Sequence, residues 1–400
     1  MNERGNAVQQ EKNTEWITGL KGIAAMMIFL HHYCLEFLPG LFYGEDADFL
    51  LENGSDVFLS SSPLGFFASG TFFIYVFIVL SGFLFAFKTM RANKENRKLN
   101  YWEICVKRYF KLAFTVFALG AIKKAACFLT NWFGLGESCE YSFLKLVEVA
   151  FFSQWTGINQ AISGVLWPMY VFFMGAILAL LFANLSSEKN CFAPAAYLFL
   201  AFLSWKTDFY SSGIFFGMIL ADFTVFDRLK FLRRIFITDR TAVMAGNILG
   251  AVLILAGLTL GSVPPHSSPS NAFHIWLAGI VTNRLYLYVI GVFLVVGGCL
   301  LLTKHVLLSS GAAVFLGRIS MELFLTHCFF INTFGHVIIN FLVKLTGGRY
   351  VLSVSLGFLI LTAAVIPISI LYGNTVSRLI NALADILSGG RHHRQRMEEA

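Results

Sequence analysis

The sequence predicts an all-α fold: a polytopic bundle of about ten membrane-crossing helices with both termini in the cytoplasm. Three observations carry that prediction. Composition comes first. The chain of 400 residues is 57% hydrophobic and 13% charged, with a mean hydropathy of +0.69; soluble domains carry about 25% charged residues. Second, apolar runs recur from end to end, most of them near the ~20 residues that cross a bilayer. Length alone would allow two or three soluble domains, but recurring spans argue for one bundle. Third, Lys and Arg sort by side, as the positive-inside rule requires. With the N-terminus inside, 23 of the 30 fall on the inner side. The first outer loop, 39–64, has none and carries Glu45, Asp46, Asp48, Glu52 and Asp56.

The expected spans are 17–38, 65–87, 109–130, 162–184, 191–205, 209–223, 243–262, 284–303, 315–342 and 350–372. Residues 1–14 are polar and read as a disordered cytoplasmic N-terminus, 15–378 as one transmembrane domain, and 379–400 as a cytoplasmic tail. In that tail His392 and His393 sit in a solvated basic end and are not read as ligands. The first run has no small-residue cleavage site after it and is too long for a signal-peptide core, so it is a retained helix. In the second, Ser81-Gly82 falls in mid-membrane, where a small pair permits close backbone approach. Lys123 and Lys124 interrupt the third. The outer segment 131–161 holds an apolar patch, FLKLVEVAFF, suited to the membrane surface. The fifth and sixth spans are short and separated only by Lys206-Thr207-Asp208. A single crossing there would place Arg228, Lys230, Arg233, Arg234 and Arg240 outside, which the charge rule disfavours. Residues 262–283 form a second outer loop, with Pro264, Pro265 and Pro269 stopping any helix. The seven cysteines show no paired spacing and read as small core residues. No metal-ligand spacing, repeat, heptad seam or low-complexity tract is found.

Ionisable groups inside spans are costly and mark functional sites by default. The first span carries Lys21 and, eleven residues on, His32. Eleven residues at about 100° each come within about 20° of three full turns, so the two share a helix face. They stand about 16 Å apart along the axis at 1.5 Å per residue. His31 points elsewhere. Glu36, one turn past His32, lies on its face; it either orients the imidazole for general-base work or is an exposed residue at the outer helix end. Lys21 either snorkels to headgroups or binds an anion, aided by the helix N-terminus. Lys107, Arg108 and Lys111 enter the third span together. Lys107 and Lys111 are one turn apart and can face one anion; cytoplasmic anchoring by charge explains any one of them equally well. In FLGRISMELFLTHCFF (315–330), Arg318 and Glu322 are i,i+4 and expected to pair, and His327 lies deeper.

These segments resemble the integral-membrane acyltransferase-3 family, which O-acylates sugars and other hydroxyl compounds. GLKGIAAMMIFLHHY resembles its opening helix, in which a basic residue is followed by ten others and a histidine; Lys21 and His32 hold those positions. FIVLSGFLF, VKRYFKL, SGIFFGMILADF and LGRISMELFLTH resemble later family segments, in family order, between about 17 and 330. Two positions depart from the family pattern. Phe172 stands where Trp-Ser-Leu-Ser-Val-Glu has its acidic residue, and Glu322 stands where a small residue is usual. The resemblance implies an acyl-CoA donor, acetyl-CoA in particular, with no permanently bound cofactor. It also implies an acceptor hydroxyl on a cell-surface or exported carbohydrate. It places the protein in the inner or plasma membrane as a multi-pass chain in contact with lipid, with no nucleic-acid partner. Lys21, Ser81, Lys107, Arg108, Lys111 and Arg318 are then the donor-binding residues, and His32, Glu36, Glu322 and His327 the catalytic ones. The pantetheine arm of CoA is comparable to the ~16 Å rise from Lys21 to His32. Two rival readings are a transporter using His32, Glu322 and His327 as a proton relay and a catalytically silent family member. The chain lacks the internal repeats and paired broken helices of transporters.

Overall fold

The computed structural model describes residues 15–132, 142–156, 166–207, 210–228, 240–263, 272–280 and 283–387. Every regular element among them is helical. The helices are α1 (Glu15–Phe37), α2 (Gly40–Tyr43), α3 (Ser55–Ser60), α4 (Gly70–Lys94), α5 (Tyr101–Trp132), α6 (Phe143–Thr156), α7 (Pro168–Phe182) and α8 (Ala193–Thr207). They continue with α9 (Ser211–Val225), α10 (Arg240–Gly261), α11 (Ala272–Ile280), α12 (Leu285–Leu301), α13 (Gly311–Arg318), α14 (Ser320–Phe330), α15 (His336–Leu345) and α16 (Tyr350–Leu387). A helix stands over each of the ten expected apolar runs. Among the described residues five helices are long and apolar enough to cross a membrane. The number is six when α1 and the sharply bent 40–46 segment count as one span, and α8, α9 and α12 are shorter apolar helices. The N-terminal stretch 1–14, prolines 264, 265 and 269, and the end of the tail lie outside the described residues.

The chain forms two compact units. The first comprises residues up to 99 together with 175–324. Its centre is α4, which is buried along most of its length. Ser81-Gly82 does what such a pair does in lipid, where packing rather than hydrophobicity joins helices. A Cβ at Gly82 would land on the Ile214 backbone of α9, and one at Gly217 on the Val79 carbonyl of α4. The same device seats α13 on α1: a side chain at Gly22 would strike the Ala313 carbonyl, and one at Gly317 the Thr18 carbonyl. Helix α10 keeps Val243, Met244, Ile248, Leu249, Val252 and Leu255 exposed. That pattern suits lipid, where backbone groups are satisfied within the helix and apolar side chains face out.

The acidic segment 39–64, expected as a loop, is structured. Past α1 the chain bends by 105° into 40–46. Asp56 is buried, and its carboxylate accepts the backbone N–H groups of Leu51 (3.0 Å) and Val57 (3.0 Å). A 3₁₀ turn over Pro63–Ala68 then leads into α4, which starts at Gly70 rather than at 65. At the opposite end of α9 sits an ion pair that sequence reading missed. Asp222 is fully buried, and Arg228 reaches it at 2.8 Å while donating to the carbonyls of Ser187 (2.6 Å), Asn190 (2.8 Å) and Glu188 (3.2 Å). Lys94 adds a bond to the Val225 carbonyl at 2.9 Å.

The second unit comprises 100–174 and 325–400. Tyr109 Oη donates to the Phe151 carbonyl (2.5 Å), joining α5 to α6. The Tyr372 hydroxyl donates to the Thr115 carbonyl, joining α16 to α5. Helix α16 has 38 residues, about 57 Å at 1.5 Å per residue, so it outruns any bilayer and extends past the expected end at 372.

Three expectations need correction. The 262–283 segment is not loop throughout, because α11 forms beyond the prolines. The cysteines are not uniformly core residues: Cys127 is disulfide-bonded and Cys191 is free and exposed. The 315–342 run is not one helix. It breaks at Ile319, and beyond that break the helix runs on from Ser320 to Leu345 through a π-helical turn at Ile331–Gly335.

Candidate active site

Helix α1 is favoured by Ala24, Ala25 and unbranched residues through its middle, and Glu15 supplies a negative charge in its first turn. Lys21 is its seventh residue, past the first turn where the helix dipole acts, so the expected assistance from the helix N-terminus does not reach it. Lys21 and His32 are both half-buried, and Glu36 is exposed one residue from the helix end. The continuous helix between Glu15 and Phe37 keeps Lys21 and His32 on the common face that their spacing requires.

His31, set aside on sequence grounds, is buried and firmly anchored. It is only 7% exposed. Its Nδ1 lies 2.5 Å from the Ala68 carbonyl oxygen. Its ring stands edge-on to Phe42 (centroids 5.0 Å, 67°) and to His32 (5.0 Å, 68°).

Ser81 is buried in α4, and its Oγ has no hydrogen-bond partner among the described residues. Arg318 closes α13 and is exposed, while Glu322 is half-buried in the first turn of α14. The expected Arg318–Glu322 pair does not form. An i,i+4 pair needs a continuous helix, and the break at Ile319 removes it; no ion pair joins the two among the described residues. Phe324 of α14 packs on Phe77 of α4 at 6.4 Å.

In the second unit Lys107 and Lys111 are exposed near the start of α5. Lys107 is 2.5 Å from Glu103 in an exposed i,i+4 pair, the kind that contributes little and exchanges readily with solvent or a competing anion. Arg108 lies between them and is half-buried. His327 is fully buried, with Nε2 3.2 Å from the Sγ of Cys328. Phe172, at the position of the family's acidic residue, is 5% exposed in α7. An apolar ring fills that place.

The helical architecture, with several helices long and apolar enough to cross a membrane and with charged groups and imidazoles inside the apolar runs, defines the class as a polytopic membrane protein. A profile of the acyltransferase-3 family, described as an acyltransferase domain, matches residues 14–373. The chain belongs to that family and is an acyltransferase. It is similar to the O-acetyltransferase PaAT-1 of Phomopsis amygdali, 22% identical over 86% of this chain and 78% of that protein. No solved structure matches it.

Proposed function

We propose that the protein transfers an acetyl group from acetyl-CoA, offered at the cytoplasmic face of the cell membrane, to a hydroxyl of a cell-surface or exported carbohydrate. The observation that carries this reading is the pairing of Lys21 and His32 on one face of α1. Acetyl as the group moved is supported by the name of the fungal relative. Lys21, Lys107, Arg108, Lys111 and Arg318 are the cations suited to the phosphates of CoA, and Ser81 offers a buried hydroxyl. His32 takes the proton of the acceptor hydroxyl as its oxygen attacks the thioester carbonyl. The carbonyl–oxygen bond forms, the carbon–sulfur bond breaks, and the CoA thiolate leaves to be protonated. In the covalent variant His32 is acetylated first and the hydroxyl attacks the acyl-imidazole. Glu36, Glu322 and His327 are proposed to assist these proton transfers.

The orientation has independent support. A disulfide at Cys127 belongs in an oxidising compartment, and Cys127 lies near the end of α5 opposite Lys107 and Lys111. The test is label transfer from radioactive acetyl-CoA to the carbohydrate of membrane vesicles. His32→Ala should abolish transfer while the protein stays inserted and folded. Substrate flux without any donor would favour a carrier and reject the enzyme reading.

A further inference from the structure

We infer that His31 is the positioning residue for His32, holding the outer turn of α1 in register with the acidic outer loop. The inference rests on the reading of His32 as the reacting imidazole. Three segments converge on the His31 ring. The bend after α1 brings Phe42 against it at 5.0 Å. The Pro63–Ala68 turn presents the Ala68 carbonyl to Nδ1 at 2.5 Å. The start of α4 meets it at Gly70, where an added Cβ would lie 2.5 Å from the ring Cγ. Only glycine leaves room there.

A carbonyl oxygen has no proton to give, so Nδ1 of His31 carries the hydrogen and donates it. That fixes the tautomer and the ring plane together. Burial raises the stakes: a polar ring at 7% exposure that lost its acceptor would cost the full desolvation of its N–H. The anchored ring is the immediate neighbour of His32, and the two rings touch edge to face at 5.0 Å. The rotation of α1 about its axis, and with it the direction of His32, is therefore set by a bond made 37 residues away in sequence. Displacements of about 1 Å at a reacting group cost about a hundredfold in rate, so a loosened His31 should show in turnover rather than in donor affinity.

The test uses the full-length protein in membrane vesicles, with acetyl-CoA as donor and vesicle carbohydrate as acceptor. The two variants are His31→Leu, which removes the donor, and His31→Asn, whose side-chain NH₂ occupies nearly the place of Nδ1. Rates are normalised to folded protein. His31→Leu should lower maximal transfer ~10- to 100-fold with the apparent KM for acetyl-CoA within about twofold, and His31→Asn should recover to within about threefold of the parent. A second readout needs no turnover: the rate at which diethyl pyrocarbonate modifies His32, followed by mass spectrometry. It should change severalfold in His31→Leu and return in His31→Asn. Unchanged transfer and unchanged His32 reactivity in His31→Leu would overturn the inference, as would equal loss in Leu and Asn. If His32→Ala stays active, the catalytic reading fails by itself, whereas the reactivity of His32 still reports whether His31 holds it.

Discussion

Replacing Arg228 by Met tests the packing account at its most exposed point. Arg228 keeps 15% of its side chain accessible, and Asp222 beneath it has none. The substitution preserves length and apolar stem but removes the guanidinium. It takes away a 2.8 Å ion pair and three bonds to the carbonyls of Ser187, Asn190 and Glu188. Those carbonyls lie in a segment open to water and re-solvate at small cost. The Asp222 carboxylate cannot. Stranding one partner of a buried pair costs about 3–5 kcal/mol. Partial exposure of Arg228 places this case at the lower end, about 3 kcal/mol. In a chain of this size that is a melting-point loss of about 3–4 °C, measured on detergent-solubilised protein by the loss of monodisperse material on heating. Adding Asp222→Asn removes the stranded charge and should restore about half of the loss, ~1–2 kcal/mol, because contacting residues are non-additive. If Arg228→Met melts within 1 °C of the parent, or if the double variant is no better than the single one, the pair is not what holds α9 to the 186–190 segment.

Two further outcomes follow from His274 and from the cysteines. His274 bonds Ser262 at 3.1 Å, and burial, with Arg284 second, holds its imidazole below the usual histidine value of 6.5. The unfolded chain takes up a proton near pH 6.5 that the folded protein resists, so the stability from neutral His274 is present above pH 6.5 and is lost as pH falls below it. His274→Asn should flatten the decline in thermal stability between about pH 7 and pH 5; an unchanged slope would reject this assignment. Cys191, free and exposed, should react with a membrane-impermeant maleimide only after cells are permeabilised. Cys127, disulfide-bonded, should react in intact cells and only after reduction. Labelling of Cys191 in intact cells would invert the proposed orientation.

Much of the fold could be read from the chain because lipid imposes simple rules. Length and apolarity marked helix positions, two separate helices α8 and α9 stand over the expected 191–205 and 209–223 runs, and the small pair Ser81-Gly82 marked the close approach of α4 to a neighbour, which is α9. What could not be read depends on contacts distant in sequence. Periodicity treats 315–342 as one run, because no proline marks the break at Ile319. Asp222 and Arg228 read as a residue near a helix end and a cytoplasmic charge. Only the return of residues 187–190 past them makes a clamp. Nor does helical spacing reveal that His31 would be buried by a loop closing from Phe42 to Gly70. Gly70 at the start of an apolar run was the one available signal. Along the site itself, the Lys21 and His32 spacing was legible from period alone, whereas the Glu103 partner of Lys107 at 2.5 Å lay in plain i,i+4 sequence view and was overlooked.

The central claim is that the imidazole of His32 accepts the proton, or the acyl group, in transfer from acetyl-CoA to a carbohydrate hydroxyl. The most direct measurement compares parent and His32→Ala proteins, equally expressed and inserted, for radioactive acetyl groups reaching vesicle carbohydrate from acetyl-CoA. The expected result is transfer by the parent and a loss of at least ~100-fold in the variant, the order of a general base's contribution. Transfer by His32→Ala at a rate near the parent's would contradict it.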